Sequence, residues 1–270
     1  FLIIISIASV ATVLYSKGYV EGYLKRFSSA HIALHYTALV YLAVSMMMVV
    51  MSSGGFSFLF AWELMTIASF VLILFEAQRA EVLRAALTYL VMMHIGFILL
   101  VAAFATTFSL TGEASFEAVS LCASSSKTIV LFVLFLLGFG MKAGMFPMHS
   151  WLPEAHPAAP SHVSSIMSGV MIKTGIYGII RVAFALPVEF DGSAVMMPAG
   201  AVMLALGIVT GLWGIILAAL QNDIKRLLAY SSMENIGIIL IGVGAALIGK
   251  SNGNDTLALC GMAGALLHTI

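Results

Sequence analysis

An all-α, polytopic transmembrane bundle is the fold this sequence predicts, and three observations predict it. Hydrophobic residues make up 61% of the 270 residues and charged residues 9%, where soluble domains carry about 25% charged. The apolar residues gather into runs of the roughly 20 positions that a helix needs to cross hydrocarbon. Those runs are continuously apolar, which removes a strand barrel, whose segments of about 10 residues alternate polar and apolar. Zero net charge and the lack of a basic cluster argue against a nucleic-acid partner. Cys122 and Cys260 have no metal-site spacing and are too few for a disulfide framework.

The first run, 1–15, opens without a methionine and without the charged leader and cleavage site of a signal peptide. It reads as a helix already in progress. Runs follow at 31–51, 56–75, 85–108, 129–147, 163–186, 196–220 and 229–249, and 257–270 stops without a cap. A single membrane domain, a fragment truncated at both ends, is therefore expected over 1–270. Polar stretches at 16–30 and 109–128 and a proline-rich segment at 148–161 are the longer connections. Gly138, Gly140, Gly144 and Pro147 crowd the end of the fifth run and predict a broken helix near 142–153. Lys17, Lys25, Arg26, Arg79, Arg84, Lys225 and Arg226 fall in connections on one side, with Lys127 and Lys250 on the other. The richer side is expected to face the cytoplasm.

Ionisable residues inside the runs are the candidates for function, because a charge in hydrocarbon needs a partner, water or a task. Lys173 stands near the middle of 163–186, flanked by Gly169, Gly175 and Gly178. Lys142 lies at the predicted break, where low dielectric favours release of its proton. Glu63 has no basic residue in its own run and is expected to find its cation in Lys142 or Lys173. His94 and His268 stand at similar depth, with proton shuttling and plain hydrogen bonding both open to them. No phosphate loop, metal-ligand set or nucleophilic triad is visible, and nothing in the motifs reads as a site for flavin, iron–sulfur or nickel. No cofactor and no redox chemistry are expected in this chain.

The words "KAGMFPMHSWLPEAHPAAPSHVSSIMSGVMIKTGIYGIIR" (142–181) and "NDIKRLLAYSSMENIG" (222–237) resemble signatures of the proton-conducting antiporter-like membrane subunits. That family includes the large membrane-arm subunits of respiratory complex I, the Mrp-type antiporter subunits and membrane-bound hydrogenase subunits. The wording of 149–181 is most similar to the hydrogenase branch. The resemblance implies that Glu63 pairs with Lys142 and modulates it, and that Lys173 and His268 continue a hydrated polar axis. His149 and His156 would assist proton entry from the cytoplasm. It implies two inverted five-helix repeats, 31–186 and a partial 196–270, with a second broken helix beyond residue 270. It implies other membrane subunits of a hydrogenase or complex I-like assembly as partners, and a place in the plasma or inner membrane of a prokaryote. Three functions stay open: proton translocation in a redox-driven complex, Na⁺/H⁺ exchange of the Mrp type, and a structural scaffold.

Overall fold

The computed structural model describes residues 1–122, 125–187, 189, 190 and 193–269. Ile270, the last residue of the expected run 257–270, lies outside the described residues. Each expected run forms a helix over most of its described length. The helices are α1 (Leu2–Glu21), α2 (Ser29–Met51), α3 (Gly55–Ile73), α4 (Ala80–Thr111) and α5 (Ser125–Ala143). They continue as α6 (Leu152–Ala158), α7 (Ser161–Ile166), α8 (Ile172–Ala185), α9 (Met196–Ala219), α10 (Ile224–Ser251) and α11 (Asp255–Thr269). Among the described residues, seven helical stretches are long and apolar enough to span a bilayer, and the chain is a multi-pass membrane protein. Extended pairing among the described residues is short: β1 (Glu189–Phe190) runs antiparallel to β2 (Ser193–Ala194) with Glu189 opposite Ala194, and a single bridge joins Gly54 to Ser115.

Several boundaries differ from the apolar runs, α4 and α10 each starting five residues earlier than expected, and two differences have a clear physical reason. α1 continues through Lys17 to Glu21, because backbone hydrogen bonding carries a helix past the end of its apolar stretch. α5 ends at Ala143 instead of 147, because Gly144 turns into the left-handed region at φ +70°, where a side chain would be strained. The chain resumes at α6, whose proline in the first turn sits where no amide hydrogen is needed. The expected broken helix is thus present, with its gap between Ala143 and Leu152.

α7 and α8 form one span, Ser161–Ala185, through a π-helical turn at Met167–Met171. α8 lies against the last turn of α5: a Cβ on Gly175 would stand 2.8 Å from the Phe139 carbonyl oxygen and 2.9 Å from the Ala143 nitrogen. In lipid, this close backbone approach between small residues takes the place of water exclusion in holding helices together. It also sets the turns that carry Lys142 and Lys173 side by side.

The two ends of the bundle differ in chemistry. At the expected cytoplasmic end, Glu76 accepts from Arg26 and Arg79, each at 3.2 Å, and the Lys225 Nζ donates to the Ala159 carbonyl at 2.8 Å. At the opposite end, Arg181 donates to the Ser52 carbonyl at 2.7 Å and faces the Phe116 ring at 4.0 Å. Between that end and Lys142 lies a cluster of six rings: Phe58, Trp62, Phe104, Phe116, Phe135 and Phe139, none more than 2% exposed. Phe135 and Phe139 stack at 5.8 Å, Phe104 meets Phe135 edge-on at 5.0 Å, and Phe139 meets Trp62 at 5.3 Å. Offset and edge-on rings at these spacings fill the volume between α3, α4 and α5.

Candidate functional site

Lys142 sits in the last turn of α5 and is 1% exposed. Its Nζ donates to the Thr66 Oγ1 at 2.8 Å and lies 4.7 Å from the centre of the Trp62 ring. The Thr66 hydroxyl gives its own hydrogen to the Trp62 carbonyl at 3.1 Å, which leaves its lone pair for the lysine. One α-helical turn thus supplies both partners, since residues four apart share a face. The break supplies the rest of the setting. Trp151 Nε1 donates to the Met141 carbonyl at 2.8 Å, and the Phe146 amide donates to Thr210 Oγ1 of α9 at 3.2 Å.

The expected ion pair between Glu63 and Lys142 is not formed; no ion pair within 4.0 Å joins them among the described residues. Successive helix positions are turned by about 100°, so the face that offers Trp62 and Thr66 to Lys142 sends Glu63 toward α4. There its Oε1 lies 3.1 Å from His94 Nε2, and its Oε2 is buried without a hydrogen-bond partner. Glu63 still acts on Lys142 electrostatically, through space.

The Glu63–His94 contact carries a proton count. His94 Nδ1 lies 2.9 Å from the Leu90 carbonyl oxygen, which can only accept, so Nδ1 bears a hydrogen. A neutral ring would then turn a bare Nε2 toward the carboxylate, lone pair against lone pair. The 3.1 Å contact therefore holds one proton, on the imidazole or on the carboxyl.

Lys173 is the second residue of α8, just after the π-helical turn, and is half-buried; its Nζ donates to the Thr269 carbonyl at 2.6 Å. The next residue back on α11, His268, places its Nε2 2.7 Å from Asn235 Oδ1. Asn235 Nδ2 donates to the Ser231 carbonyl at 2.8 Å, which fixes Oδ1 as the acceptor and His268 Nε2 as the donor. Lys173, His268 and Asn235 thus gather from α8, α11 and α10. His149, half-buried, lies 5.8 Å from the Phe146 ring with its Nδ1 unpartnered. His156 is 1% exposed, holds Ser164 Oγ at 2.9 Å through Nδ1, and leaves Nε2 unpartnered.

The structure therefore brings Glu63, His94 and Lys142 into one neighbourhood and Lys173 with His268 into a second, and joins the two where Gly175 meets Ala143. His149 and His156 stay at the break. Sequence reasoning missed Thr66 and Trp62, although a hydroxyl three residues from a buried carboxylate was a usable signal. It also missed His35 and His162, 127 positions apart, for which no local signal exists.

Comparison with known proteins matches residues 52–263 to the family described as "NADH:quinone oxidoreductase/Mrp antiporter, TM". The chain is 37% identical over 271 residues to hydrogenase-4 component B of Escherichia coli (strain K12), covering 99% of this chain and 39% of that protein. It is 33% identical over 200 residues to NADH-quinone oxidoreductase subunit M of Pseudomonas aeruginosa, covering 70% of this chain and 38% of that protein. Among solved structures it resembles a chain of the membrane-bound sulfane sulfur reductase, an archaeal respiratory membrane complex. That match has a TM-score of 0.79 at 28% identity and covers 100% of this chain and 43% of the other. The chain spans about two fifths of the length of these relatives. It belongs to the NADH:quinone oxidoreductase/Mrp antiporter family of membrane subunits.

Proposed function

We propose that the full-length protein containing this chain translocates protons, in the plasma membrane of a prokaryote, as a subunit of a redox-driven complex of hydrogenase or NADH–quinone oxidoreductase type. The observation that carries this reading is Lys142, an ammonium 1% exposed at a helix break, held by a threonine hydroxyl and a ring face in place of a carboxylate. A static structural lysine would gain most from a close carboxylate. One held by neutral groups can give up its proton without leaving a bare counter-charge in contact with it.

Electron transfer is assigned to partner subunits, and this chain's residues hold and move protons. A shift in the Glu63–His94 proton changes the field at Lys142 and favours or disfavours its charged state. The six-ring cluster blocks a straight exit to the opposite face, so the proton's open direction is sideways to Lys173 and on to His268 and Asn235. The helix order supports a five-helix repeat over 31–186 and part of a second over 196–270, with the site on the first repeat's break and its border with the second.

The test is ion identity. In vesicles containing the assembled full-length complex, electron transfer should drive uncoupler-sensitive acidification that is unchanged when sodium is replaced by choline. Acidification that requires sodium would overturn the proposal in favour of Na⁺/H⁺ exchange, and electron transfer without any ion flux would leave a scaffold.

A further inference from the structure

Behind the cytoplasmic end of the bundle, α2 and α7 bring two imidazoles into direct contact. His35 and His162 are 3% and 2% exposed, with Nε2 to Nε2 at 2.7 Å and ring planes 83° apart. At that distance one Nε2 carries a hydrogen and the other accepts it. Hydrogen placement on the two rings then follows. A neutral donor ring has a bare Nδ1, and a neutral acceptor ring has an Nδ1–H. Both Nδ1 atoms are buried and neither has a protein partner, so the pair presents one unmet acceptor and one unmet donor at its two ends. That is the polarity of a proton wire, and burying it unmet is costly.

The pair lies between the cytoplasmic surface and the Lys142 site. On the outer side is a polar cavity of about 150 Å³ lined by Tyr19, Tyr23, Phe75, Glu76, Arg79 and Lys225, among others. Two of its lining rings touch the pair: Phe75 is 4.7 Å from the His35 ring and Tyr19 is 5.1 Å from the His162 ring. On the inner side, Ser164 follows His162 on α7 and holds His156. The His156 ring faces Trp151, which binds the carbonyl of Met141, the residue before Lys142. The charged and titratable groups facing the pair are His31 and Tyr36 on α2, the Tyr36 ring 5.8 Å from that of His35, Tyr19 on α1, and Lys225 on α10, which also acts on His156.

We propose that His35 and His162 are the proton-uptake pair of this subunit, carrying protons from the cytoplasmic cavity to the His156–Ser164 contact. This rests on the proton-translocation reading above. In one passage, an N–H bond forms at the bare Nδ1 of His35 as a hydronium in the cavity gives up a proton. The His35 Nε2–H bond breaks as that hydrogen crosses to Nε2 of His162, and the His162 Nδ1–H bond breaks as its proton leaves inward. One proton enters, one leaves, and no electrons change hands. Each ring regains its starting tautomer by losing that hydrogen to a water and taking one at its other nitrogen, so the reset gains and loses no net proton.

Glutamine at either position keeps a hydrogen-bonding amide in place of the ring but cannot take a proton at one atom and release it at another. In the assembled full-length complex in vesicles, His162→Gln should leave assembly and electron transfer with an artificial acceptor at parental levels and lower proton uptake about 100-fold, the low end for a positioned acid–base group. His35→Gln should do the same from the other helix. Parental uptake in either variant that assembles would overturn the pair. Should neither assemble, infrared difference spectra of the unmodified complex, labelled with isotopic histidine, take over: imidazole bands should shift during turnover, and unchanging bands overturn the proposal. Lys173→Met, measured alongside, separates the two claims. Loss of uptake there with normal uptake in His162→Gln sinks the pair alone, whereas parental uptake in Lys173→Met sinks the translocation reading.

Discussion

Lys142→Met stops proton transfer in the assembled full-length complex while the subunit folds as well as the parent or better. Methionine matches the lysine stem in length and removes a charge that burial makes expensive. Replacing buried ionic groups by apolar residues of similar volume is often neutral or stabilising by about 1–4 kcal/mol. The lost contacts are a neutral hydroxyl at 2.8 Å and a ring face at 4.7 Å, so no carboxylate is orphaned within bonding distance. Proton transfer should fall by about 100-fold or more, as for removal of a positioned acid–base group. Acidification of vesicles normalised to electron transfer reads the first effect, and thermal unfolding of the complex reads the second. Reduced transfer with melting unchanged or raised is the expected combination. A large loss of stability with parental transfer would make Lys142 structural.

Phe139→Ala has the largest expected effect on stability and an opposite effect on the membrane seal. The ring is 0% exposed, stacks on Phe135, and meets Trp62, Phe58 and Phe116. Truncating a buried phenylalanine costs about 3–5 kcal/mol, through lost contacts and the cavity left behind. That cavity opens in the wall that separates Lys142 from the far face. Water entering it would give protons a direct route across. Vesicles carrying the variant should hold a pH gradient for a shorter time than parental ones, with no electron transfer taking place. Equal retention of the gradient would mean that the six rings do not form the barrier.

The helices were legible because the signal is redundant: twenty apolar residues in a row admit one structure in a bilayer, and each expected run became a helix. The break was legible too, since Gly144 and Pro147 are local constraints that act without knowledge of neighbours. Partners were another matter. Whether Glu63 meets Lys142 depends on the rotation of α3 about its own axis, a quantity set by packing against α4 and α5, and the carboxylate turns to His94 instead. The π-helical turn before Lys173 adds one residue to a helical turn with only Ser168 and Gly169 to hint at it. His35 and His162 lie on helices that are far apart in sequence, and neither stands beside anything that marks it. Local geometry was readable where neighbouring residues dictate it, and contacts were hidden where they follow from how helices are rotated and paired.

In the proposed mechanism protons pass laterally from the Lys142 site to Lys173 instead of straight across the bundle. Proton delivery per electron in the assembled full-length complex carrying Lys173→Met tests it most directly. Electron transfer with no net proton delivery is expected, because the step after Lys142 has lost its acceptor. Parental delivery per electron in that variant would contradict it.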